Sequence, residues 1–165
     1  VASFVYWKYI QKSVAGAYAV APSAWGAFYL ALVTGAYSPN QATDSVLGDI
    51  PGGAIAADGK TGTFPVLTLV ALVPTTPAAN DVAGIKLSLA AAPNNVWGAV
   101  PAGAAVTRAI LYGAEVVGVG PYNLVAAYDD WAGLPFTPDG TDVPLVSLPT
   151  PLAAGGDNMI RVSTP

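Results

Sequence analysis

Ten carboxylates hold whatever acid–base or metal chemistry this chain can perform: Asp44, Asp49, Asp58, Asp81, Glu115, Asp129, Asp130, Asp139, Asp142 and Asp157. No histidine or cysteine accompanies them. Imidazole general acid–base catalysis, the common zinc sites and any disulfide framework are therefore excluded. A glycoside hydrolase needs two carboxylates facing each other across a cleft. Asp129 or Asp130 with Asp142 is the pairing the sequence offers, and Trp131 and Phe136 lie nearby to stack on a sugar. The run PDGTD (138–142) supplies oxygen ligands for a cation but lacks the spacing of a known calcium loop. DGKTG (58–62) has the Gly-Lys-Thr of a phosphate-binding loop, yet Ala54 stands where that loop requires its first glycine. No serine occupies a G-x-S-x-G elbow. Most of the aspartates sit beside Gly, Pro or Asn, where an Asp side chain bonds its own backbone. Their expected role is turn formation, and no catalytic site, metal or cofactor is expected.

The elements that must position these groups are short. The chain of 165 residues contains 18 glycines and 15 prolines, and its apolar runs are brief and separated by turn signals. That pattern predicts an all-β fold, an antiparallel β-sandwich or β-barrel with long turn-rich connections and little helix. Strands are predicted at Phe28–Val33, Ala54–Ala57, Val66–Val73 (ended by Pro74 and Pro77), Ile85–Leu89, Val96–Val100, Ala105–Tyr112, Tyr122–Tyr128, Val143–Leu148 and Met159–Ser163. Pro144 makes the run from Val143 an edge or bulged strand. Gly118–Pro121 reads as a hairpin connection, and Asp129-Asp130-Trp131 as the exit from the sheet. Along Ala105–Tyr112, Val106, Arg108, Ile110 and Tyr112 are expected on one face and Thr107, Ala109 and Leu111 on the other. Helix is allowed at Lys8–Ala17 and Asn40–Leu47. Residues 1–20 form an N-terminal arm or first strand, and 21–165 a single β-rich domain.

Charge decides the functional class more than any motif. Hydrophobic residues make up 53% of the chain and charged residues 10%, against about 25% charged in typical domains. A surface so poor in ions favours association, and large apolar patches mark interfaces. The net charge of −4, with six basic residues spread along the chain, argues against a nucleic-acid interface. The apolar stretch Val1–Leu32 is broken by Lys8, Lys12 and Pro22, which argues against a membrane span or a secretory signal. Aromatic residues supply large contact areas and dominate interface hot spots. Tyr6, Trp7, Tyr9, Trp25, Trp97 and Trp131 are the expected contact residues, with the first dozen residues acting partly as an arm to a neighbouring subunit.

Four segments carry a resemblance. They are FYLALVTGAYSPNQATDSVLGDI (28–50), AVTRAILYG (105–113), YNLVAAYDDWAGLPFTPDGTDVPLVSLP (122–149) and the closing GGDNMIRVS (155–163). Taken in order they resemble a group of small β-rich virion proteins of tailed bacteriophages. In that group a strand of the type L-K-V-A-L-L leads to a Y-x-P-D turn and an acidic D-V or D-I end. A later strand ending A-V-L-Y precedes one reading P-L-I-A-Y-I-D-F. The resemblance covers about half of the chain, and alanine and proline replace the group's more polar surface. It implies a non-enzymatic structural protein on the virion surface, a decoration or cement protein of the capsid. Its partner would be the major capsid protein, and it would itself be homo-oligomeric on the particle. A tail or neck protein of the same class is one alternative, and a carbohydrate-binding or receptor-binding module another.

Overall fold

The structure, a computed structural model, describes residues 3–14, 27–58, 69–75, 84–89, 99–116, 119–129, 133–141 and 160–163. The fold is all-β, with antiparallel pairing throughout the described strands. Strands β1 (Phe4–Val5), β2 (Ala27–Thr34), β3 (Ile55–Asp58), β6 (Val106–Val116) and β7 (Val119–Tyr128) form one five-stranded sheet in the order β1-β7-β6-β2-β3. Strands β4 (Leu69–Thr75), β5 (Gly84–Leu89) and β8 (Ile160–Ser163) form a three-stranded sheet in the order β4-β5-β8. A single α-helix, α1 (Trp7–Val14), is present among the described residues.

The centre of the large sheet is β6 between β2 and β7. From Phe28 to Thr34 every side chain of β2 is buried, as are those of Ala109–Tyr112 and Asn123–Tyr128. Both faces of these stretches are therefore covered, which is why their sequences read as nearly continuous apolar runs. The two faces expected for β6 exist as registered, with Arg108, Ile110 and Tyr112 opposite Val33, Ala31 and Tyr29. Neither face is left wet at Ala109–Tyr112.

The structure corrects several sequence expectations. Strand β4 runs through Pro74, which pairs with Ile85, instead of ending there. Within the described sheet β4 is an edge, and a residue with no N–H is tolerated where only one side of the strand is paired. Gly118–Pro121 is not the hairpin connection: β7 already begins at Val119, which pairs with Val116. The register of the pair shifts between Ala114 and Val116. Strand β3 lies one residue later than predicted, at Ile55–Asp58, because a 3-10 turn occupies Gly52–Ala54.

Helix α1 begins at Trp7, one residue before the predicted Lys8, and is described to Val14; residues 15–17 lie outside the described residues. Asn40–Leu47 is not a helix. Its Asn40 Oδ1 accepts the backbone N–H groups of Ala42 and Thr43 at 3.0 and 3.3 Å, a local alternative that competes with helix hydrogen bonding. Val46 forms an isolated bridge to Asn123, and a 3-10 turn follows at Leu47–Asp49. Residues 99 and 100 are in no strand. The remainder of Val96–Val100, and the whole of Val143–Leu148, lie outside the described residues.

Candidate functional site

Two polar and aromatic clusters are built on the five-stranded sheet. The first joins the N-terminal segment to the loop after β2. Tyr6 follows β1 directly and is fully buried. Its hydroxyl lies 3.0 Å from that of Tyr37, and the Tyr37 hydroxyl donates to Asp44 Oδ2 at 2.7 Å. Because the Tyr37 proton is committed to Asp44, Tyr6 is the donor to Tyr37. Asp44 Oδ2 also accepts the Asn40 N–H at 2.8 Å, and Asp44 Oδ1 accepts the Thr43 hydroxyl at 3.2 Å. From the sheet, Arg108 donates through Nη1 to the Tyr37 carbonyl at 3.1 Å. Gln41 donates through Nε2 to the Val5 carbonyl at 2.9 Å, and its own backbone carbonyl accepts the Trp7 N–H at 3.0 Å.

Burial pushes the Tyr6 and Tyr37 hydroxyls well above the ordinary tyrosine range, and for Tyr37 the bonds to Tyr6 and Asp44 push in the same direction. A general base works best with a pKa near the operating pH. These hydroxyls have moved away from it, and they stay neutral and act as links in a hydrogen-bond chain. The cluster fastens a loop to a sheet.

The second cluster lies on one face of β2, β6 and β7. Tyr29 and Tyr112 stack with ring centroids 5.4 Å apart, and Tyr122 meets each of them edge-on at 6.0 Å. Cross-strand pairing produces this triad, since Tyr29 lies opposite Tyr112 and Tyr122 opposite Ala114. The Tyr112 hydroxyl donates to Asp58 at the end of β3. Burial raises the Tyr29 pKa, and the charges of Tyr122 and Asp58 raise it further. Beside the triad runs a shallow groove of about 370 Å³ lined by Val46, Leu47, Gly48, Ile55, Pro121 and Tyr122. Its lining contains no charged side chain.

The aspartates singled out in the sequence are engaged in turns and ties where they are described. Asp49 accepts the backbone N–H groups of Ser45 and Val46 at 2.7 and 2.9 Å. Those two bonds, Val46 first, hold its carboxyl below the usual range. Asp139 accepts the Thr141 N–H and hydroxyl at 2.8 and 2.6 Å, so the first half of PDGTD is an Asx turn. Asp129 faces Ser3, whose hydroxyl donates to it at 3.4 Å. Asp130, Asp142, Trp131 and all of DGKTG after Asp58 lie outside the described residues, so the carboxylate pairing is not brought together among those that are. Among the described residues no group of three or more Asp or Glu gathers to hold a metal ion. No helix among them is long and apolar enough to cross a membrane.

The six expected contact residues divide three ways. Tyr6 and Tyr9 are buried, at 0% and 8% exposure, in the core of their own chain. Trp7 is 52% exposed. Trp25, Trp97 and Trp131 lie outside the described residues. Phe4–Val5 pairs with Ala127–Ala126, so this part of the N-terminal segment is a short strand of the chain's own sheet.

Sequence reasoning missed both tyrosine clusters. Tyr6 and Tyr37 are 31 positions apart, and Asp58 and Tyr112 are 54 apart, so no local spacing marks them. In comparisons with known proteins no family model, no curated protein and no solved structure matches the chain.

Proposed function

We propose that the chain is a structural protein of a tailed-bacteriophage virion, a decoration or cement protein that binds across major capsid subunits in many copies. In this reading its two sheets form a sandwich or barrel, and it is not an enzyme and engages neither nucleic acid nor membrane. The observation that carries the reading is the poverty of charge, 10% of residues against about 25% in typical domains. Bonding within the chain reinforces it. Asp44, Asp49, Asp129 and Asp139 are all tied to groups of their own subunit, and the exposed positions among the described residues are mostly Gly, Ala, Pro, Ser and Thr. The resemblance of residues 28–50, 105–113 and 122–149 to phage virion proteins points the same way.

Such a protein works by contact area. Each Å² of apolar surface buried against coat protein contributes about 25 cal/mol, less the cost of association. Copies that also touch one another gain through avidity. The summed effect would oppose outward pressure on the shell.

Sedimentation of the purified chain with shells assembled from the cognate coat protein tests the reading. The expected result is saturable binding in step with the number of coat subunits, and shells that resist heat better when decorated. A monomer that leaves shells unbound would overturn it. Binding in a low, ring-like copy number would place the protein at the tail or neck instead.

A further inference from the structure

An aspartate followed by a small residue can react with its own backbone. The next residue's nitrogen attacks the side-chain carboxyl carbon and closes a cyclic imide, and glycine, with no Cβ, lets that nitrogen approach most freely. The chain holds two Asp-Gly pairs, Asp58-Gly59 and Asp139-Gly140, and one Asp-Ser pair, Asp44-Ser45. By sequence the two Asp-Gly pairs are equivalent. The fold makes them different, because it aims each carboxyl in its own direction.

Asp44 is drawn backward along the chain. Its Oδ2 accepts the Tyr37 hydroxyl at 2.7 Å and the Asn40 N–H at 2.8 Å, both from residues that precede it. Asp58 is drawn sideways. It ends strand β3 and accepts the Tyr112 hydroxyl from β6, and a strand side chain stands roughly perpendicular to its sheet, away from the following amide. Asp139 is drawn forward. Its Oδ1 accepts the Thr141 N–H at 2.8 Å and the Thr141 hydroxyl at 2.6 Å. An Asx turn of this kind folds the carboxyl over the peptide that follows it, which here is the peptide of Gly140. Asp139, Gly140 and Thr141 are all exposed, so water reaches the turn.

We propose that Asp139-Gly140 is a site of spontaneous backbone modification, at which the folded chain converts aspartate to isoaspartate. The Gly140 nitrogen forms a bond to Asp139 Cγ. Asp139 Oδ2, protonated by solvent, leaves as water together with the proton that the amide gives up. Water then adds to one of the two imide carbonyls and reopens the ring, to aspartate or to isoaspartate. The net change is an isomerisation without change of mass, and it needs no oxidant, metal or enzyme. The protonated carboxyl is the reactive form, so mildly acidic buffer speeds the closure. The product carries an extra methylene in its backbone and has lost the side chain that made the turn. That turn rests on its neighbours: the Pro138 carbonyl accepts the Gly103 N–H at 3.3 Å, and a Cβ on Gly140 would meet the Ala102 nitrogen at 3.6 Å. Modification therefore reshapes the surface formed by residues 102–103 and 138–141. The chemistry is independent of what the chain binds.

Prolonged warm incubation of the full chain, followed by peptide mapping with isoaspartate-specific methyl labelling, is the test. In the folded chain isoaspartate is expected to accumulate at Asp139 several-fold faster than at Asp58 or Asp44, and faster in mildly acidic than in neutral buffer. In urea, where the turn and the strand are both lost, the rates at Asp139 and Asp58 are expected to converge. Thr141→Val keeps the backbone N–H and removes the hydroxyl, and it is expected to slow the reaction at Asp139 with no change at Asp58 and no change in the melting curve. Asp139→Glu, whose longer side chain closes the ring poorly, is expected to abolish the signal at that position. Equal rates at Asp139 and Asp58 in the folded chain, or a rate at Asp139 untouched by Thr141→Val, would overturn the proposal.

Discussion

The Tyr37 hydroxyl donates to Asp44 Oδ2 at 2.7 Å and is the acceptor for Tyr6, 3.0 Å away. Tyr37 is thus the middle link of a chain that runs from the buried N-terminal segment to the loop surface. Its removal strands both ends. Tyr37→Phe leaves the Tyr6 hydroxyl buried with no acceptor, which costs about 1–3 kcal/mol. Tyr6→Phe removes the terminal donor and costs about 1 kcal/mol. Urea denaturation of both variants and of the double variant checks the order. The double variant is expected to lose less than the sum of the two, as coupled neighbours do.

Alkali should act through the same pair. Both hydroxyls have folded-state pKa values raised chiefly by burial, while in the unfolded chain tyrosine ionises near about 10. Below that pH both states keep the proton and the stabilisation is complete. Above it the unfolded state loses protons that the folded state retains, so stability falls as pH rises, by about 1.4 kcal/mol per pH unit for each such group. Stability measured against pH in the alkaline range is expected to decline, and the slope to flatten in Tyr6→Phe and Tyr37→Phe.

Acid should act through Asp49, with the opposite sign. Its carboxylate is stabilised by the Val46 and Ser45 amides, so its contribution is present above the ordinary aspartate pKa. That contribution is lost as pH falls through the lowered folded value. Asp49→Asn is expected to reduce stability near neutral pH and to lessen its fall in acid. Thermal melts of both proteins across the acid range check this.

How much of the molecule is legible in its sequence depends on how local each cause is. Phe28–Val33 is legible as a strand because aromatic and branched residues run together and Thr34-Gly35 closes them, and β2 occupies Ala27–Thr34. The same reading stops β4 at Pro74, since it cannot know that this strand lies at the edge of its described sheet. Asn40–Leu47 looks helical by composition, yet the Asn40 side chain captures two amides and turns the chain. The tyrosine triad is not legible at all. Tyr29 and Tyr112 stack only because register places them opposite one another, and register is a property of the folded sheet. For the aromatic contact residues composition is a poor guide: it does not separate Tyr6, sunk in the core, from Trp7 beside it.

The centre of the sheet should tolerate no loss of volume. Leu111 on β6 is fully buried and pairs with Leu30 on one side and Ala126 on the other. Leu111→Ala is expected to cost about 2–5 kcal/mol through lost burial and the cavity left behind. Gln11→Ala, on the exposed side of α1, is expected to change stability by less than about 0.5 kcal/mol. Chemical denaturation of the two variants separates a core position from a surface one.

Two glycines offer the opposite test, in which the same added methyl group has contrary effects. Gly140 has φ +94, and a Cβ there would meet the Ala102 backbone nitrogen at 3.6 Å. The space is ordinary, so the cost is conformational: a left-handed backbone disfavours any L side chain by about 1–2 kcal/mol. Gly48 sits in the 3-10 turn at the groove rim, without a left-handed φ, and a methyl group added there would meet nothing within 4 Å. Replacing it narrows the unfolded ensemble without straining the fold, which stabilises by about 0.4–1 kcal/mol. Melting temperatures are therefore expected to fall for Gly140→Ala and rise for Gly48→Ala. A fall in both would mean that the groove rim needs glycine for a reason other than space.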